Sequence, residues 1–186
     1  FLTQEIDRGP SGPKVGAFFD VDGTLLAGFS AMAFWRDRLL SGQMSLSDVS
    51  ENLLAFVGFQ RGRVGFSGIL AAFSGILRGT LEQELVETGE RLFESELAAL
   101  VYPESRALVT AHLRRGHTVA IVSAATRYQI EPLARDLGIE HVLGTREAAG
   151  AFATGAAHLL HGPVQRRFDR RGGGVDVIAV EAEASF

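Results

Sequence analysis

The run Phe18-Phe19-Asp20-Val21-Asp22-Gly23-Thr24-Leu25-Leu26 decides how this chain is read. Val15, Ala17, Phe18 and Phe19 have the composition of a short buried strand, and they deliver two carboxylates, one residue apart, into a glycine turn. Successive side chains of a strand point to opposite faces, so Asp20 and Asp22 share one side and Val21 takes the other. Gly23 lets the chain turn where a Cβ would clash. Like charges at that spacing repel unless a cation or a shared proton compensates. Parallel α/β sheets build their sites at the carboxyl ends of strands, so a divalent metal and an anionic ligand are the natural occupants. Asp-Gly also marks plain solvated turns, but the apolar strand before it and the Thr24 hydroxyl beside it favour a site.

With 186 residues, the chain is long enough for one domain with a real core or for a core carrying a smaller insert. An apolar fraction of 46% against 22% charged is that of a globular protein and excludes intrinsic disorder as its general state. A net charge of −4 provides no basic footprint, so nucleic acid is not an expected partner. Cysteine is absent, which removes disulfides, thiolate metal sites and cysteine nucleophiles together and fits a reducing, cytoplasmic setting. Residues 1–13 are polar and contain Gly and Pro, and they read as a linker or a truncated N-terminus.

Beyond Leu26 the pattern is helical for a long way. Phe29 to Leu40 reads as one helix; Ser45-Leu46-Ser47-Asp48 resembles a capping box opening a second, to about Phe59. A third is expected over Val64 to Leu77, and Thr80-Leu81-Glu82-Gln83 reads as a further capping box. Pro103 and Gly116 then punctuate a helix over Glu104 to Arg115, followed by a β-branched strand from His117 to Val122, a helix through Tyr128 to Leu137, and a strand at His141 to Leu143. Alternating strands and helices predict an α/β fold: a Rossmann-like, three-layer parallel sheet interrupted by an all-helical cap. The expected division is a core of 14–26 and 101–146, a cap of 27–100, and a divergent or poorly ordered tail of 147–186 that leaves the C-terminal part of the core incomplete. Within that tail, Val175 to Val180 reads as a short strand.

Ser123 is the second anchor. It follows the strand Thr118-Val119-Ala120-Ile121-Val122, where a hydroxyl and the amides of the next turn can hold a phosphate, although serine there is also a common cap.

Together, Asp20-Val21-Asp22-Gly23-Thr24 and Ser123 resemble the first two motifs of the haloacid dehalogenase superfamily, DxDGT and a serine or threonine ending the next core strand. The helical insert between them, and the continuation from Ser123-Ala124-Ala125-Thr126 to Val142-Leu143-Gly144-Thr145, are similar to the subgroup typified by phosphoserine phosphatase. The chain also looks like the phosphatase-like domain fused in some actinobacteria to a lysophosphatidate acyltransferase, which implies such a domain as a fused or separate partner. The resemblance implies a Mg²⁺-dependent phosphomonoester hydrolase acting on a small phosphorylated metabolite. Asp20 would be the nucleophile that forms an aspartyl-phosphate and Asp22 the acid and base. Mg²⁺ would bind the Asp20 carboxylate and the Asp22 carbonyl, and Thr24, Ser123 and Ala124 would surround the phosphate. Members acting on phosphoserine carry a glutamate shortly after the first motif; Ala27-Gly28-Phe29 stands here instead.

Two further family motifs have no clear counterpart. The lysine that balances phosphoryl charge is missing, since Lys14 is the sole lysine and precedes the first motif; Arg166 or Arg167 lies near the expected place but is no simple substitute. Asp176 and Glu181 are the late acidic candidates for the metal shell. The alternative reading is therefore a domain that binds Mg²⁺ and phosphate without turnover. A DxD-type sugar transferase would explain Asp20 and Asp22 but neither Ser123 nor the cap.

Of the remaining candidates, His158 and His161 have metal-pair spacing without a third ligand, and Glu82, Glu84, Glu87, Glu90 and Glu94 read as the wet side of a helix. Arg61 and Arg63 are positioned to reach a substrate anion from the cap or to lie in a surface loop. The uncharged run Val64 to Leu77, with its repeated Phe-Ser-Gly-Ile-Leu, suits packing inside the cap or contact with a membrane surface, and is too short to span a bilayer at ~20 residues.

Overall fold

Val15–Phe19 forms strand β1, and every pairing it makes is parallel. The structure is a computed structural model that describes residues 2–65 and 80–145 and the backbone of 176–179. Thr118–Thr126 (β2) lies beside β1 in the register Gly16↔Thr118 to Phe19↔Ile121, and His141–Thr145 (β3) lies beyond β2. Asp176–Ala179 (β4) pairs with the free side of β1, from Val15↔Asp176 to Phe18↔Ala179, giving the order β3-β2-β1-β4. The apolar runs read as strands are thus the middle of one sheet, with Ala17, Phe19, Val119 and Ile121 almost fully buried. The strand expected over 175–180 is present, and it joins the core sheet.

Two helices flank the sheet. Pro103–Arg114 (α5) begins with the proline expected there, and Arg127–Leu137 (α6) ends on Gly138, whose φ of 72° is the left-handed cap conformation. The cap supplies Ser30–Leu40 (α2), Leu46–Gln60 (α3) and Glu82–Ser95 (α4), then a 3₁₀ turn at Leu97–Leu100. Ser45 caps α3 as its motif predicts, through Asp48 N–H to Ser45 Oγ (3.2 Å) and Ser45 N–H to Asp48 Oδ2 (3.0 Å). Thr80 does not cap α4; Leu81 occupies that position and makes no side-chain cap bond. The helix expected over Val64 to Leu77 falls outside the described residues from 66 onward.

Where the chain enters and leaves the cap, the two connections run side by side. Ala27 N–H donates to Leu100 O (2.8 Å), Tyr102 N–H donates to Leu25 O (3.1 Å), and Leu26 bridges Val101. On the cap's inner side α4 approaches α6 so closely that a Cβ on Gly89 would lie 2.2 Å from the Tyr128 carbonyl oxygen.

Residues 2–8, within the segment assigned to a linker, form a helix instead (α1, Leu2–Arg8). Its docking explains the difference: Asp7 pairs with Arg114 at 2.7 Å, Arg115 donates to Gly9 O, and Thr118 Oγ1 donates to Pro13 O (2.9 Å). These partners lie more than a hundred positions away, so no local pattern announces them. Beneath this segment His112 and His117 meet, Nδ1 to Nδ1 at 2.8 Å, and His117 Nε2 lies 2.9 Å from Pro10 O. A carbonyl only accepts, so His117 Nε2 carries hydrogen and His117 Nδ1 accepts from His112 Nδ1–H. His112 Nε2 is left as a buried lone pair with no partner among the described residues. Burial, and then the neighbouring His117, hold the His112 pKa below its ordinary 6.5.

Two outcomes follow from this packing. In Gly89→Ala, the ~1 kcal/mol that alanine gains in helix propensity is smaller than the strain of separating α4 from α6, so a net loss of about 1–2 kcal/mol should appear as a lower urea midpoint. For His112 the unfolded chain binds more protons than the folded one below pH 6.5, so its contribution is complete above that pH and is lost as pH falls toward the depressed folded value. The fall in melting temperature between pH 7.5 and 5.5 should therefore be smaller in His112→Gln than in the parent.

Candidate functional site

The loop after β1 is wound around one carbonyl. Val21 O accepts from Thr24 N–H (3.2 Å), Leu25 N–H (3.0 Å) and Leu26 N–H (3.1 Å), while Gly23, at φ +76°, donates to Leu26 O (3.0 Å). Val21, Leu25 and Leu26 plug into the core with at most 1% exposure. The strand ends at Phe19, so the sorting comes from this turn and not from strand alternation: the apolar members are buried while Asp20 is exposed and Asp22 half-buried. Asp20 makes no hydrogen bond or ion pair to the described residues. Asp22 Oδ1 accepts from Ser30 N–H at 2.8 Å. Burial pushes the Asp22 carboxyl above the ordinary carboxylate value; the Ser30 amide and hydroxyl oppose this, and the charge of Asp20 adds to it.

Ser123 stands on the adjoining strand at the same edge. Asp20 is one residue past the Phe19–Ile121 rung and Ser123 is two past it. The strand expected to stop at Val122 runs on to Thr126, but its ladder breaks where the expectation put the end. From Val122↔Leu143 to Thr126↔Thr145, β2 advances four residues against two on β3, so the backbone bulges at Ser123 to Ala125. The Ser123 hydroxyl, buried, accepts from Ala125 N–H (3.2 Å) and keeps its own hydrogen free to donate. Ala124 is held by Thr145 Oγ1, which donates to its carbonyl (2.7 Å), and Thr24 by Ser105 Oγ on α5, which donates to its carbonyl (3.0 Å). Asp20, Asp22, Thr24, Ser123 and Ala124 thus gather on the carboxyl edge of β1 and β2.

The donor set suits a hard cation. The unbonded Asp20 carboxylate and the Asp22 backbone carbonyl would supply oxygen ligands, the donors such a cation takes. Among the described residues no cluster of three or more His, Asp or Glu side chains completes such a site. Lys14 directly precedes β1, so it lies roughly 20 Å from Asp20 at about 3.3 Å per residue and cannot reach the edge. Asp176, the first late acidic candidate, pairs with Val15 and so stands at the amino end of the sheet; the register overturns it as a metal ligand for this edge. Glu181, Arg166, Arg167, His158 and His161 lie outside the described residues.

The cap arginines Arg61 and Arg63 are exposed in the turn after α3. The acidic face of α4 is not wholly given to solvent, since Glu82 and Glu90 pair with Arg127 and Arg135 of α6. Between α2 and α4 lies a cavity of about 370 Å³ lined by Phe34, Arg38, Gln43, Thr80 and Glu84 among others, and none of the motif residues borders it. Sequence reading missed Ser30 and, behind it, Gln129. Thr126-Arg127-Tyr128-Gln129 has the capping-box pattern that would have drawn attention to Gln129.

The chain matches known proteins in the same terms. The sequence profile of the haloacid dehalogenase-like hydrolase family matches residues 17–178, which includes most of β4. Phosphoserine phosphatase SerB1 of Mycobacterium tuberculosis (strain H37Rv) is 31% identical over 153 residues, covering 78% of this chain and 50% of that protein. The inhibition of morphological differentiation protein of Streptomyces azureus is 26% identical over 159 residues, 82% of this chain and 57% of its own. The chain thus spans about half the length of these relatives. Among solved structures, a Bordetella pertussis protein of unknown function superposes with a TM-score of 0.65 at 20% identity, covering 77% of this chain and 66% of its own. A phosphoserine phosphohydrolase-like protein from Francisella tularensis gives 0.51 at 20%, covering 75% and 63%. With the profile spanning both anchors and most of the sheet that carries them, the chain belongs to the haloacid dehalogenase-like hydrolases.

Proposed function

We propose that this protein hydrolyses phosphate monoesters of small metabolites. One observation carries the reading: an exposed, unbonded Asp20 directly after β1, with a buried Ser123 hydroxyl at the bulge of the adjoining β2 and Asp22 held by Ser30. A carboxylate free of hydrogen bonds is the better nucleophile, so Asp20 Oδ attacks phosphorus and the ester oxygen leaves, forming an aspartyl-phosphate. Asp22, whose raised pKa favours carrying a proton, gives it to the departing alkoxide. It then takes a proton from the water that attacks the acyl phosphate, which restores Asp20 and releases inorganic phosphate. The Ser123 hydroxyl donates to a phosphoryl oxygen, the Ala124 amide offers a second donor, and Thr24 shapes the floor. Mg²⁺, held by the Asp20 carboxylate and the Asp22 carbonyl, would supply neutralisation of the phosphoryl charge.

A second reading, a domain that binds phosphate without turnover, is favoured by the position of Lys14 at the far end of β1. Steady-state hydrolysis of p-nitrophenyl phosphate separates the two. The proposal expects Mg²⁺-dependent turnover abolished by EDTA, a fall of at least about 10³-fold in Asp20→Asn, and a fall of about 10–100-fold in kcat/KM for Ser123→Ala. Parent turnover no greater than that of Asp20→Asn would leave the second reading standing.

A further inference from the structure

Asp22 reaches the core helix α6 through a chain of hydrogen bonds in which every donor points the same way. Thr126, at the N-terminus of α6, gives both its N–H (2.7 Å) and its Oγ1–H (2.8 Å) to Gln129 Oε1. The amide orientation of Gln129 is thereby settled, because a backbone N–H must face the oxygen and not the NH₂ group. Gln129 Nε2–H then donates to Ser30 Oγ (3.1 Å), which fills the acceptor side of that hydroxyl. The Ser30 amide donates to Asp22 Oδ1. Ser30 is 0% exposed and Gln129 6%, so water does not compete for these bonds. Ser30 begins the first cap helix and Gln129 belongs to the core, 99 positions away.

We infer that Gln129 is a positioning residue: through Ser30 it orients the Asp22 carboxyl group toward the leaving-group oxygen and ties the first cap helix to the core at that point. The inference rests on the reading of Asp22 as the proton donor to the departing alcohol. Gln129→Glu tests it with almost no change in volume. A carboxylate has no N–H to give, so the Ser30 hydroxyl turns to donate to residue 129 and the direction of the chain reverses, while Thr126 keeps its acceptor. Ser30→Ala removes the hydroxyl and leaves the amide.

The readout is the dependence on leaving group. p-Nitrophenolate departs without a proton, whereas the alkoxide of ethyl phosphate needs one. In Gln129→Glu and Ser30→Ala, kcat/KM, which reports the steps up to alcohol release and not the later hydrolysis of the aspartyl-phosphate, should fall about 10–100-fold for ethyl phosphate and stay within about threefold for p-nitrophenyl phosphate. A merely structural role would lower both substrates alike, and that result, or no fall for either, overturns the inference. Asp22→Asn is the control. If it lowers kcat/KM for both substrates equally, the reading of Asp22 as proton donor fails and the inference falls with it. If it selectively spares p-nitrophenyl phosphate while the Gln129 and Ser30 variants are unaffected, only the role of Gln129 is refuted. Hydrogen exchange of the Ser30 amide reads the same link without turnover: its protection should drop about tenfold in Gln129→Glu. Unchanged protection would refute the tie between core and cap.

Discussion

The carbonyl of Val21 is the point on which the rest of this structure turns. One oxygen accepting three successive amides winds six residues into a tight knot, and the knot sorts them by chemistry. Val21, Leu25 and Leu26 enter the core, where full burial of such side chains stabilises by about 1.5–3 kcal/mol each, and that gain opposes the cost of holding two carboxylates on one edge. A loop fixed only by polar contacts would relax until Asp20 and Asp22 moved apart. Here relaxation would pull apolar side chains into water, so the charge repulsion persists in the fold and is available to a cation or a proton.

How much of this could be read beforehand follows the range of the forces involved. The strands around Ala17 and Ile121 were legible because burial on both faces demands continuous apolar runs, and the caps at Ser45 and Gly138 because a helix end needs a local partner or a positive φ. The two anchors were legible because carboxylates and a hydroxyl directly following such runs have no packing reason to be there. Helix α1 was not, since its composition is that of a linker and its stability comes from Arg114, Arg115 and Thr118, contributed by a distant part of the chain. The Ser30–Gln129 contact was hidden for the same reason: each residue is unremarkable locally, and only the fold brings them together. Asp176 shows the reverse error, in which a plausible spacing along the chain meets a strand register that sends the residue to the wrong edge.

The site is accordingly a junction more than a pocket. Its donors come from a loop after β1, a bulge in β2, the first residue of a cap helix and the first turns of a core helix, and each is held by a neighbour of different origin. Such cross-bracing confers rigidity that no single element would have, which is the condition for fixed dipoles to favour a transition state over a ground state.

The side-by-side entry and exit of the cap carry a consequence for how this architecture diversifies. Because Ala27 and Leu100 are hydrogen bonded to each other, the core experiences the intervening 27–100 segment as if it were a tight turn. Lengthening, shortening or exchanging that segment alters the closure entropy only logarithmically and leaves the sheet register untouched. The edge that carries Asp20, Asp22 and Ser123 can therefore be inherited unchanged while the insert is exchanged wholesale.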